Sequence, residues 1–128
     1  MNPKFKLEEL KKALDQLESG LANVHDELDR DGVIQRFEFT FELAWKSIQE
    51  FAQYKGLGVA SPRDAFRVAA DLGVIDNPEM WFGFLKDRNE STHLYNEDQA
   101  KMVFSRMPNF VSEVKKLVTY IEIGIKED

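Results

Sequence analysis

The chain has 128 residues, a net charge of −6 and no cysteine. Its length suits a single domain over residues 1–128, and hydrophobic and aromatic shares of 43% and 12% exclude global disorder. Without cysteine there are no disulfides or thiolate metal sites, and the acidic balance argues against broad, non-specific nucleic-acid binding while leaving room for a local basic cleft.

The N-terminus, MNPKFKLEEL, lacks the apolar run of a signal peptide. No stretch approaches the roughly 18 apolar residues of a membrane span. A soluble cytoplasmic protein is expected. Residues 5–29 carry Leu7, Leu10, Leu14, Leu17, Leu21, Val24 and Leu28 at alternating steps of three and four, a heptad seam that predicts the first helix. Asp31-Gly32 is read as the turn that ends it. A second helix is expected from about Val33 to Tyr54, with Ile34, Phe37, Phe41, Ala44, Ile48 and Phe51 on one stripe. Phe39, Leu43, Trp45 and Ala52 widen that stripe, which suits a central helix or one that also meets a partner chain.

Ser61, Pro62 and Asp64 supply the N-cap, first turn and third position of a short helix ending near Leu72-Gly73. Another begins after Asn77-Pro78 and carries Met80, Trp81, Phe84 and Leu85 toward Arg88. The last opens at Asn96, with Gln99 three residues on as in a capping box, and runs to about Ile125. Pro108 should kink or split it. The predicted fold is all-α: an antiparallel up-and-down four-helix bundle with one or two extra short helices.

Residues 27–38 place Glu27, Asp29, Asp31, Gly32, Ile34 and Glu38 at the positions of an EF-hand loop. A glutamate in first place, the lack of a second hand and a leucine seam running through Leu28 favour a helical hairpin with a polar turn. His25 and Asp29, four apart, could share a helix face, but two ligands do not make a metal site. Glu38, Glu42 and Lys46 step by four, as a solvated ladder does, although some could face a partner. There is no phosphate-cradling glycine loop and no nucleophile elbow. Neither a metal nor a cofactor is expected.

RNESTHLYNE, residues 88–97, breaks the helical pattern. On one continuous helix Arg88 and His93 would lie about 140° apart. The weak helix formers Ser91 and Thr92, with a cap already at Asn96, instead place Arg88 in a last helical turn and His93 in the connection. There Arg88 could hold a phosphate while His93 reaches the reacting atoms. On spacing alone, the plainer alternative is favoured: His93 satisfies a helix C-terminus, and Arg88 pairs with Glu90 or Asp87.

Arg88, His93 and Tyr95 form R-x4-H-x-Y, and with it the chain resembles the HepT branch of the HEPN superfamily, also called nucleotidyltransferase substrate-binding proteins. The similarity runs along the chain through GVIQRFEFTFELAWKSIQEF, SPRDAFRVAADLGVI and WFGFLKDRNESTHLYNE, in that order. It implies a dimerising antiparallel bundle and a minimal nucleotidyltransferase as partner. In toxin–antitoxin versions of the family the bundle protein is a metal-independent ribonuclease, silenced when the partner attaches AMP to the motif tyrosine. The resemblance thus assigns catalysis to Arg88 and His93 and modification to Tyr95. Asn89, the polar residue after the arginine, and Glu90 are expected in support. Two other readings stand beside this one: a non-catalytic subunit that presents substrate to the nucleotidyltransferase, and a plain dimerisation module.

Overall fold

A computed structural model describes the backbone of residues 4–91 and 96–126, and side chains from Lys6 onward within those ranges. The helices are α1 (Lys4–Ala22), α2 (Glu27–Tyr54), α3 (Pro62–Asp71), α4 (Pro78–Ser91), α5 (Glu97–Ser105) and α6 (Met107–Lys126). Helices α1, α2, α4 and α6 make the up-and-down bundle, and α3 and α5 are the two short additions. No strand occurs among the described residues. No helix there is long and apolar enough to cross a membrane.

The heptad seam of α1 is buried from Leu7 to Leu17, but the helix stops at Ala22 rather than running on to residue 29. Capping chemistry overrides the leucine pattern. Asp26, in extended conformation, accepts the Asp29 backbone N–H at 2.8 Å, and the Asp29 carboxylate accepts the His25 N–H at 3.0 Å. Those bonds satisfy donors that a helix start leaves open, and Glu27 and Asp29 suit its positive end. Asp31 and Gly32 therefore lie inside α2, and Leu28 is 78% exposed instead of extending the seam. Residues 27–38 are helical throughout, so their oxygens fan out around an axis and do not wrap an ion. His25 lies in the connection before α2 and shares no helix face with Asp29.

Helix α2 buries Val33, Ile34, Phe37, Phe41, Ala44, Ile48 and Phe51, and also Leu43 and Ala52 from its wider stripe. Trp45 is partly buried, whereas Phe39 faces outward. The core is aromatic. Phe37 meets Phe110 edge-on at 4.9 Å, Phe110 meets Phe84 at 5.0 Å, and Trp81 joins Phe84 at 5.3 Å and Phe66 at 5.2 Å. Such pairs add about 0.5–1.5 kcal/mol each beyond area burial. They lock α4 against α3 and α6, with α2 joined to the cluster through Phe110, and that fixes the rotation of α4.

Short-range signals set the remaining boundaries. Ser61 caps α3 by accepting the Asp64 N–H at 3.2 Å, with Pro62 in the first turn. Gly73, at φ +76°, then turns the chain out of that helix, a conformation that L side chains resist. Asn96 caps α5, accepting from Asp98 at 2.7 Å. Pro108 splits the last helix: α5 ends at Ser105, α6 starts at Met107, and Arg106 stands at the joint. A proline in the first turn of α6 needs no intrahelical donor.

Candidate functional site

The site gathers around the last turn of α4. Trp81 and Phe84 are packed inward, so the helix phase sends the next residues to opposite sides of the buried stripe. Asp87 and Arg88 diverge by about 100°.

Asp87 turns toward the α5–α6 joint. Its side chain is 4% exposed and accepts two bonds from Arg106, Nε to Oδ2 at 2.8 Å and Nη2 to Oδ1 at 2.6 Å. This is the two-pronged geometry in which a guanidinium matches a carboxylate best. The hydrogen bond to Asp87 raises the Arg106 pKa above the ordinary arginine value, with the Asp87 and Glu90 charges adding to it against the cost of burial. The pair joins the end of α4 to the end of α5, and so brackets the connection between them. Beside it lies a cleft of about 410 Å³, with Met80, Phe84 and Met102 along it and Lys86, Glu90 and Asn109 among its polar groups.

Arg88 turns toward α2. Its Nη2 donates to Glu42 Oε2 at 3.0 Å and its Nη1 to Asn89 Oδ1 at 3.1 Å. Lys46 Nζ lies 3.6 Å from the other Glu42 oxygen. Here the Arg88 and Glu42 side chains are 37% and 33% exposed, so water and ligands reach the pair. Ser91 Oγ donates to the Arg88 carbonyl at 2.8 Å, satisfying one of the open acceptors at the helix end.

Of the residues singled out in the sequence, Arg88 and Asn89 meet, and Arg88 stands in the last helical turn as expected. Its acidic partner is neither Glu90 nor Asp87. Glu90 lies on the cleft side with Arg106, and Asp87 is already held there. His93 and Tyr95 lie outside the described residues. Sequence reasoning missed the parts played by Glu42, Asp87 and Arg106. Glu42 was visible only as a rung of a charged ladder. Asp87 carried a readable signal: it follows Phe84 by three, putting a carboxylate where the buried stripe of α4 continues.

A family model for "Nucleotidyltransferase substrate binding protein like" matches residues 5–123. A Haemophilus influenzae (strain Rd) protein called probable ribonuclease HepT is 29% identical over 87 residues, 64% of this chain. That match spans 60% of the relative's length. Among solved structures, a Thermus thermophilus protein superposes with a TM-score of 0.81 at 33% identity, covering 88% of this chain and 98% of its own. A Haemophilus influenzae structure, presented as the fold of a substrate binding domain of a nucleotidyltransferase, also gives 0.81. At 24% identity, over 91% of this chain and 98% of that one, it shows a shared helical fold.

Proposed function

The chain belongs to the nucleotidyltransferase substrate-binding protein-like family, and on that premise we propose that it is a toxin-type, metal-independent endoribonuclease controlled by a minimal nucleotidyltransferase. The family name itself implies a nucleotidyltransferase as partner. One observation carries the ribonuclease reading: Arg88 presents a partly exposed side chain immediately ahead of the segment that holds His93 and Tyr95. Similarity to a probable ribonuclease supports it.

Cleaving RNA through its own 2′-hydroxyl needs a base, an acid and a cation for the charge on the five-coordinate phosphorus. Arg88 is suited to the last role, since its fork can take two phosphate oxygens. His93 supplies the proton carrier, since a histidine's ordinary range suits either role. Tyr95 is the AMP acceptor in this reading, and a bulky anion there would compete with substrate phosphate for Arg88. The working form is a homodimer or higher even oligomer, which brings paired motifs together. The outward-facing Phe39 on α2 offers apolar surface for such contact.

The test is cleavage of a labelled RNA by purified protein in the presence of a chelator. His93→Ala is expected to lose about 10²–10⁴-fold while remaining folded. Equal background cleavage by wild type and variant would end the ribonuclease reading. Incubation with the nucleotidyltransferase and ATP should add AMP, read by mass spectrometry, and Tyr95→Phe should abolish the addition. Light scattering that finds only monomer at micromolar concentration would remove the paired site. A second reading, a subunit that presents substrate to the nucleotidyltransferase, is favoured by the family description and the net charge of −6. It survives if partner binding persists and RNA cleavage does not.

A further inference from the structure

Within one chain the motif offers a single histidine as proton carrier. The fold brings another ionisable group to Arg88. Glu42 is 46 residues from Arg88 in sequence, yet its Oε2 accepts Arg88 Nη2–H at 3.0 Å. Lys46, one turn further along α2, faces the other carboxylate oxygen at 3.6 Å. The charged and polar groups recorded at this carboxylate are therefore Arg88 from α4 and Lys46 from α2, with Asn89 holding the far side of the guanidinium. Both members of the central pair are about one third exposed, unlike the Asp87–Arg106 pair on the next side of the helix.

We propose that Glu42 is the general base of the cleavage step, acting in the same chain as Arg88; the proposal rests on the ribonuclease reading above. A phosphodiester held on the outward N–H groups of Arg88 has its ribose beside the Glu42 carboxylate. Glu42 removes the proton of the 2′-hydroxyl, and the freed oxygen forms a bond to phosphorus. The bond from phosphorus to the 5′-oxygen breaks, and that oxygen takes a proton from a general acid. The products are a 2′,3′-cyclic phosphate and a 5′-hydroxyl end. The proton lost to Glu42 balances the proton gained by the leaving group, so no metal, oxidant or added water enters the step. Arg88 carries the phosphorane charge, and its contact with Glu42 aims the base at the sugar next to that phosphate.

The experiment compares the whole protein as wild type, Glu42→Gln and Glu42→Asp on a fluorescent oligoribonucleotide. A matched oligonucleotide with a 2′-deoxy residue at the cleavage position reports binding alone. Glutamine keeps an oxygen that can accept from Arg88 but cannot take a proton. Glu42→Gln should therefore cleave at least about 10²-fold more slowly and lose the acidic limb of its pH–rate profile. It should bind the deoxy probe as tightly as wild type or tighter, because one negative charge beside the phosphate has gone. Glu42→Asp, a shorter base, should recover part of the rate. Cleavage by Glu42→Gln within about threefold of wild type, with the acidic limb intact, overturns the assignment and leaves the ribonuclease reading standing. Weaker binding of the deoxy probe by Glu42→Gln, with the pH profile unchanged, also overturns it, because Glu42 would then only position Arg88. A wild type that binds the probe and never cleaves RNA overturns both.

Discussion

Asp87 and Arg88 are adjacent in sequence and both are paired, but Asp87 is held by two bonds in a buried contact while Arg88 rests on a partly exposed carboxylate. Helical geometry alone separates them, by about 100°. On the Asp87 side, a charge taken out of water must keep its partner, so the contact acts as a fixed clamp between α4 and the α5–α6 joint. On the Arg88 side, water screens the pair, and the guanidinium is accessible to a ligand phosphate. One turn of helix thus carries a buried clamp and a pair open to a ligand.

Removing the clamp should have the largest effect. Arg106→Ala leaves the Asp87 carboxylate buried and unpaired, a class of change that costs about 3–5 kcal/mol when both partners are buried. Arg106 is itself 42% exposed, so water can reach the gap, and about 2–4 kcal/mol is the expected loss in urea unfolding. Asp87→Asn should lose less, since an amide oxygen still accepts from Arg106. A loss under about 1 kcal/mol in Arg106→Ala would erase the distinction between the two sides. The pH dependence has a definite sign. The Arg106 pKa is raised on folding, so its contribution is fully present below the ordinary arginine range and is lost only as pH climbs through the higher folded value. Between about pH 7 and about pH 10 this contribution should be flat.

Arg88→Ala should give the opposite profile. Its pair with Glu42 is open to solvent, so unfolding free energy should change by no more than about 1 kcal/mol. In the ribonuclease reading, RNA cleavage should nonetheless fall to near background. Arg88→Lys should recover only part of it, because an ammonium cannot reproduce the guanidinium fork. If Arg88→Ala unfolds as readily as Arg106→Ala, Arg88 is architecture too, and the case for a ligand on that side collapses.

The two sides also differ in how far they could be read from sequence. Local chemistry was legible: Ser61-Pro62 start α3, Asn96 caps α5, Pro108 splits the last helix, and the Phe37–Phe41–Ile48 stripe marks the buried face of α2. The misplaced first turn shows where such reading stops. A leucine seam that continues through Leu28 looks like helix, but the Asp26–Asp29 caps, worth about 1 kcal/mol each, start a new one and leave Leu28 in water. Arg88 was legible as a candidate because the pattern breaks after it. Its partner was not, because Glu42 lies 46 residues away and only the packing of α4 on α2 brings them together. Asp87 and Arg106, 19 residues apart, meet because Pro108 divides the helix and leaves Arg106 at the joint.

The smallest effect, at Lys46, gives the finest test of the comparison. Lys46 stands one helical turn beyond Glu42 and 3.6 Å from its free oxygen, with its own side chain 42% exposed. Exposed pairs at this spacing contribute about 0.3–0.5 kcal/mol, so Lys46→Ala should barely move the unfolding midpoint. Its charge should matter more to a bound phosphate than to the fold. Deleting one phosphate-neutralising cation weakens oligonucleotide binding and lowers the slope of log affinity against log salt by about 0.7 for a single strand. A salt titration of Lys46→Ala with the deoxy probe reads that slope directly. A reduced slope at unchanged stability places Lys46 on the ligand-facing side with Arg88. An unchanged slope confines the phosphate to Arg88 and leaves Lys46 a rung of the ladder on the outer face of α2.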